Sequence, residues 1–577
     1  MEIKNRLTLL RNLLAEQDIS AMIIPSNDPH FGEYVPDYYK TIEWLTGFTG
    51  EAGTLVVAQE SAALWTDSRF FVQAEAQLQG TGVQLMKLKV EGTPSIQQWL
   101  KENLEEGDIV AMDEELFSYQ EYSSMVDELS PLTPSLIEDP FDVIWENRPS
   151  LQFNPIRYVD ETITGESVAS KHSRLVERLS GPVPFAYIVT ALDEICWLCN
   201  IRGTDVEYNP LVLSYAVVTP ENIHLFLMEQ MMEASAINIL SEQGVIFHPY
   251  EDIVKFLTNL PKDCIRIYSS GKISAKNFFA SMENIHHNTP FAPYASDPMI
   301  GGVLANMKAV KNEVELAGFR KAYVEDAKAQ IKFFNWIKEN VNNGITEYQA
   351  ALKLIEFRSE CPDYLGESFP PIVAYGPNAA LPHYGPSEEV SSVILPKGFL
   401  LIDTGAHYTY GTTDTTRTLA VGELTQEQKD DYTAVLKGMI NLSMAKFNKG
   451  TRGAQLDMLA RGPIMARGKI YWHGTSHGIG HNLCVHEGPQ SIRMEENSVS
   501  LALGMVLSNE PAVYIVGEYG IRIENTIVVA PWMKNDFAEF YQFETLNVLP
   551  INTEPINYDM LDEPHKQWLE EYNSRCL

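Results

Sequence analysis

A chain of 577 residues is too long for one hydrophobic core, so roughly two to four domains are expected. Its 45% hydrophobic and 10% aromatic residues describe an ordinary folded protein rather than a disordered one. A formal net charge of −34 would be repelled by nucleic acid and by anionic membranes, which argues against both as partners.

The N-terminal stretch MEIKNRLTLLRNLLAEQ is charged and helix-periodic, with Leu7, Leu10, Leu13 and Leu14 on one stripe, and it lacks a signal-peptide apolar core. Six cysteines form no disulfide framework, and no apolar run is long enough to span a bilayer, so a cytoplasmic location is expected. Cys196 and Cys199 form a lone C-x-x-C around Trp197 and Leu198, which reads as buried packing rather than a zinc or redox site. An apolar strand over Ala21–Ile24 follows the first helix, then strands at Thr54–Ala58 and Ala62–Trp65 and a further helix. Five prolines between Ser130 and Pro155 suggest a linker.

The next segment repeats this plan. A helix (Ser170–Leu179) leads to a strand (Ala186–Thr190), then LDEICWLCNIRG, then strands at Tyr215–Val218 and Ile223–Leu227. Its counterparts upstream are SAMIIPSND, IEWLTGFTG and TLVVAQESAALW, which implies two similar α/β domains. A third domain begins near Ala305–Lys311. There Asn312 and Glu315 form a capping box, and Leu316, Phe319, Tyr323, Ala327, Ile331, Phe334 and Ile337 make a helical stripe. Mixed strands and long helices after that point indicate α+β. The expected boundaries are 1–157, 158–305 and 306–577.

Two hairpins in the third domain carry the chemistry. In LLIDTGAHYTYGTTDTTRTLAV, strands Leu400–Ile402 and Thr415–Val421 flank a turn at Tyr408–Gly411, which brings Asp403 and Asp414 opposite or nearly opposite. In MVLSNEPAVYIVGEYGIRIENTIVV, two strands about a Gly517–Gly520 turn set Glu510 roughly across from Glu524. Like charges facing across strands are destabilising, and burying them costs more unless a cation compensates. One such hairpin is as readily two surface acids beside a turn; two in apolar surroundings point to shared cations. Between them, HGTSHGIGHNLCVHEGP holds His473, His477, His481 and His486, four of only 13 histidines. His486-Glu487 does not open a zincin helix, because Gln490 and Pro489 follow, and the glycines here and at Gly47, Gly50 and Gly53 lack a phosphate-loop context. One histidine with four carboxylates suits two divalent ions, Mn²⁺ before Co²⁺ or Zn²⁺, and hence a hydrolase.

This constellation resembles the pita-bread metallopeptidases, and among them the three-domain Xaa-Pro aminopeptidases (aminopeptidase P). GFTGEAGT, ALWTDSRFF and LDEICWLCNIRGTDVEYNP resemble stretches of that branch. The resemblance implies two creatinase-type α/β domains before a pita-bread catalytic domain, and a dimer. It implies the metal ligands Asp403, Asp414, His477, Glu510 and Glu524. It assigns His383 and His486 to substrate contact and oxyanion stabilisation, and His473 and Phe369 to the substrate side near the proline. Arg522, counted on that side as well, matches an arginine that pairs with a ligand aspartate. Glu51 and Ser476 depart from the family pattern without removing a ligand. The implied reaction is hydrolysis of an N-terminal Xaa-Pro bond by a hydroxide bridging two metals, with Glu510 as proton shuttle and peptides with proline second as substrates. A prolidase acting on dipeptides shares every ligand. A creatinase-type, metal-free enzyme would have lost ligands, and a non-catalytic peptide- or histone-binding module of the same fold would lack both ligands and hydrolysis.

Overall fold

The computed structural model describes residues 2–179, 181, 183–269, 272–283, 285, 294–295 and 297–577. The chain separates into two compact units, one of Met1–Tyr158 with Ser167–Leu304 and one of Val159–Glu166 with Ala305–Leu577.

The first unit contains the repeated plan as two six-stranded sheets. In the first, Ala21–Pro25 is central; Thr54–Ala58 and Ala62–Thr66 follow antiparallel on one side, and Gln84–Lys87 joins parallel at that edge. Ile109–Asp113 and Thr133–Ile137 add in parallel on the other side. The second sheet has the same order and the same sense at each pairing. Phe185–Val189 is central, Tyr215–Val218, Ile223–Leu227 and Val245–Pro249 lie to one side, and Ile265–Tyr268 and Tyr294–Ala295 to the other. The central strands are buried along their whole length, as strands covered on both faces must be. Cys196 and Cys199 are buried, as their apolar neighbours imply.

The proline-bearing stretch from Ser130 is not simply a linker. Thr133–Ile137 is the edge strand of the first sheet, where Pro134 is tolerated because an edge strand needs donors on one side only. Beyond it, Arg148 lies 3.5 Å from the Tyr38 ring centre and pairs with Asp139 and Asp142.

The longest helix described in the second unit, Glu313–Asn340, carries the expected Asn312/Glu315 capping box at its N-terminus. Its apolar stripe is buried except for Ile331, which is half-buried. A three-stranded sheet (Ile372–Tyr375, Phe399–Thr404, Thr415–Ala420) and a six-stranded sheet that includes Ser476–Gly478, Val506–Asn509 and Asn525–Lys534 supply the acidic and histidine residues. Helices Gln426–Ser443 and Glu563–Arg575 pack on one core cluster with Ala512, Val513 and Ile521. The α+β expectation for this part of the chain holds.

Candidate metal centre

The first hairpin aligns Asp403 with Thr416 and Thr404 with Thr415. Asp414 therefore sits diagonally from Asp403, two residues from the residue that Asp403 faces and on the same side of the pair. Past Gly405 the arms pair again, His407 with Thr412 and Tyr408 with Gly411. A side chain at 405 would bring a Cβ within 2.0 Å of the Thr413 carbonyl, so only glycine allows the arms to close here.

The second hairpin is broken into two ladders. Val506–Asn509 pairs with the start of Asn525–Lys534, and Ala512–Ile515 pairs with Tyr519–Arg522. Pro511, which has no N–H to give to a ladder, lies at the break. The register nonetheless continues across it. Asn509 faces Asn525 and Ala512 faces Arg522, so Glu510 falls opposite Glu524.

His477 comes from the short strand Ser476–Gly478, next to the strand that leads into Glu510. Its Nδ1 lies 3.0 Å from the Gly478 carbonyl, which places a ring proton there and turns Nε2 into the site. Nε2 is 3.3 Å from both Asp414 Oδ2 and Glu510 Oε1. Ser508, two residues before Glu510 on the same face, accepts the His477 N–H at 3.0 Å and donates to Glu510 Oε1 at 3.1 Å.

Ligand atoms within 4.8 Å of one another form two lobes, Asp403–Asp414–Glu524 and His477–Glu510–Glu524, with Glu524 common to both, and a third group, Asp414–His477–His486, ties Asp414 to the second lobe. Burial and mutual repulsion push the Glu524 carboxyl well above its usual range, and burial raises Asp403 despite Arg522 beside it. Burial lifts Glu510 to about 7. Burial alone would pull His477 down, but Asp414 and Glu510 hold it up to about 9. Buried Asp403 Oδ1 and Glu524 Oε1 find no hydrogen-bond partner among the described residues. Lone pairs left so in a dry site are costly unless cations meet them. An oxygen-rich set with one imidazole fits a pair of hard divalent ions.

The remaining expected residues surround this core. Arg522, grouped above with the substrate side, directs its guanidinium to Asp403 and to the Tyr514 hydroxyl, with Nε donating to Thr416 Oγ1 at 3.2 Å. Thr416 in turn donates to Glu524 Oε2 at 2.8 Å. His473 Nδ1 lies 2.8 Å from the Gly474 carbonyl and Nε2 lies 3.0 Å from the Tyr514 hydroxyl. Burial, then Arg522, pulls His473 down to about 3, so the ring is neutral. His486 meets His477 edge to face at 4.4 Å between ring centres, and its nearest ring nitrogen lies within 4.8 Å of a carboxylate oxygen of Asp414. His383 is close enough to depress His473. Phe369 is buried and follows Ser368, whose hydroxyl donates to the Thr413 carbonyl at 3.0 Å. His481 stands apart from the ligand cluster, buried, with Nε2 2.8 Å from the Tyr410 carbonyl.

Tyr514, Ser508, Thr416 and the pair Lys308–Lys311 were not singled out by sequence. The two lysines grip the buried Glu487, next to His486, at 2.5 and 2.6 Å. Period-two spacing from a candidate ligand would have found Ser508 and Thr416, since Ser508 lies two positions before Glu510 and Thr416 two after Asp414.

Comparison with known proteins places this geometry in context. Residues 317–531 match the model of metallopeptidase family M24, and residues 539–577 match the C-terminal region of peptidase M24. Residues 6–139 and 147–315 each match a creatinase/prolidase N-terminal domain. A probable Xaa-Pro aminopeptidase P of Coprinopsis cinerea is 34% identical over 99% of this chain and 94% of its own. Xaa-Pro aminopeptidase 1 of Dictyostelium discoideum is 35% identical over 99% and 92%. Among solved structures, an X-prolyl aminopeptidase from Caenorhabditis elegans, described as a cytosolic enzyme with a di-nuclear active site, superimposes with a TM-score of 0.91 at 32% identity. That match covers 100% of this chain and 95% of the other.

Proposed function

The chain belongs to the Xaa-Pro aminopeptidases of metallopeptidase family M24, and from that premise we propose how its residues release an N-terminal residue that precedes proline. The observation that carries the reading is the five-residue cluster of Asp403, Asp414, His477, Glu510 and Glu524 with two orphaned carboxylate oxygens. These five hold two divalent ions, with Mn²⁺ favoured by the oxygen-rich set. Bound there, the ions supply Lewis acidity and an activated water.

The chain's own groups do the rest. Glu510 is the most open of the four carboxylates, half-buried where the other three are buried, so its Oε atoms can take a proton from the attacking water and deliver it to the leaving nitrogen. That nitrogen is a proline's, a tertiary amide with no N–H to bond, so recognition rests on ring shape, for which buried Phe369 beside the first hairpin is suited. His383 and His486 donate N–H groups to the carbonyl oxygen as it gains charge. His473, kept neutral and fixed by Tyr514, lines the substrate side without adding a positive charge. Arg522 holds Asp403 in place.

No helix among the described residues is long and apolar enough to cross a membrane. Action in the cytoplasm as a homodimer accords with the Caenorhabditis relative's description as cytosolic and with the family resemblance. A Mn²⁺-supplemented assay on paired X-Pro and X-Ala peptides tests the reading, with cleavage of the X-Pro members expected. Equal cleavage of both kinds overturns the proline assignment. Turnover of Gly-Pro-Pro as well as Gly-Pro separates this activity from a strict dipeptidase.

A further inference from the structure

Behind the first hairpin lies a buried ion pair that the mechanism leaves unused. Arg358, on the helix Glu347–Ser359, is fully buried and donates from Nε to Asp326 Oδ1 at 2.8 Å. Asp326, on the helix Glu313–Asn340, is 1% exposed. Each partner reaches a different arm of the hairpin. Arg358 Nη1 donates to Thr404 Oγ1 at 2.6 Å and to the Gly405 carbonyl at 3.1 Å. Asp326 Oδ2 accepts from Thr413 Oγ1 at 2.9 Å. Thr404 follows Asp403, and Thr413 precedes Asp414.

We propose that Asp326 and Arg358 are positioning residues that set the separation of Asp403 and Asp414, and so the affinity of the lobe formed by Asp403, Asp414 and Glu524. The inference rests on the metal-centre reading above.

Three features support it. A buried ion pair is weak grounds for stability, since apolar residues of similar size often do as well, so its placement calls for another reason. Here both charges are also satisfied by directed bonds. Glu367 pairs with Arg358 and accepts from Tyr364, while Asp326 accepts from Gln330 at 2.8 Å and from Tyr408 at 3.2 Å. A planar guanidinium with fixed donors sets distances that a lysine cannot. Finally, both contacts fall one residue from a ligand, on the stretch where the arms pass Gly405 between their two ladders. The His477–Glu510 side meets this pair less directly, through Asp414, whose Oδ2 lies 3.3 Å from His477 Nε2.

The test uses full-length protein stripped by chelator and titrated with Mn²⁺ calorimetrically, with metal content and melting temperature measured alongside. In Arg358→Lys one of two ions should bind about 10–100-fold more weakly while the other keeps its affinity. Excess Mn²⁺ should then restore kcat at unchanged KM. Thr404→Val removes one relay hydroxyl without stranding a charge, so it carries the test if Arg358→Lys fails to fold. It should weaken the same ion while the metal-stripped protein keeps its melting temperature. Two ions bound with wild-type affinity in both variants would overturn the proposal, as would equal weakening of both ions. A wild-type protein that binds fewer than two ions would instead overturn the metal-centre reading, and the proposal with it.

Discussion

Glu510 stands opposite Glu524 in a register that no hydrogen-bonded pair between them enforces. The ladders on either side, Asn509 with Asn525 and Ala512 with Arg522, hold the two carboxylates face to face. Two anions held together in a buried site need a positive counterpart; Arg522 is already turned to Asp403, and the one imidazole of His477, shared between Asp414 and Glu510, cannot balance them all. Chelator should therefore lower the melting temperature of the purified protein, and Mn²⁺ should restore it. At a hundredfold excess over Kd each ion contributes about 2.7 kcal/mol. For a domain of this size that is about 2–4 °C per kcal/mol. Differential scanning fluorimetry with and without chelator measures it; an unchanged melting curve would count against occupancy.

Arg522→Lys should lower activity by about 10–100-fold. The arginine bonds Asp403, Tyr514 and Thr416 at once, and a single ammonium cannot span all three. Because Thr416 also donates to Glu524, both lobes feel the change. Steady-state kinetics at saturating Mn²⁺ check this, with metal content showing how much of the loss comes from ligand disorder.

Much of this was legible in the sequence because it is local. The hairpins, the capping box at Asn312 and the repeated strand plan depend on neighbours a few residues apart. The exact ladders were not legible. Asp403 faces Thr416 rather than Asp414, because Gly405 lets the arms approach between two short ladders. The strand Thr133–Ile137 was hidden by Pro131 and Pro134, which weaken a strand signal except at a sheet edge. Arg358 with Asp326 and Lys308 with Glu487 were invisible for another reason. Their partners lie 32 and 179 residues apart, and charge alone does not say which of 77 acidic residues a cation will meet.

Glu487→Gln should destabilise the protein by about 3–5 kcal/mol. Lys308 and Lys311 are both buried against that one carboxylate, and a neutral amide leaves two ammonium groups without their counter-charge. Urea unfolding of the mutant and wild type measures the loss. Since Glu487 adjoins His486, the folded fraction should also show reduced kcat, and a mutant of unchanged stability would contradict the clamp.

In the first unit, Asp113 ends the strand beside the central one and is buried, and burial raises its carboxyl to about 7 despite an N–H from Glu115 at 2.7 Å. The folded state therefore binds this proton more tightly than the unfolded chain does. Its contribution is full below the unfolded value near 4 and is lost as pH rises through about 7. Asp113→Asn keeps the acceptor and removes the charge. The mutant should melt about 2–4 °C higher at pH 8, a gain of about 1 kcal/mol, with little difference at pH 4.5. Melting curves across that range decide it, and a mutant less stable at pH 8 would show that the ionised carboxylate is needed.

Gly405→Ala tests the hairpin geometry directly. The added methyl would lie 2.0 Å from the Thr413 carbonyl and 2.3 Å from Ser368 Oγ, well inside any tolerable contact. The serine can rotate, but the carbonyl is backbone one residue from Asp414, so relief requires the arms to part. Asp403 and Asp414 then separate together with their arms. The protein should fold with a loss of about 1–3 kcal/mol, yet bind the ion of the Asp403 lobe far more weakly. Metal content after dialysis against limiting Mn²⁺ reads this out, with hydrolysis of an X-Pro peptide as the second measure. Two tightly held ions in Gly405→Ala would mean that the spacing of the aspartates is not set by the closeness of these arms.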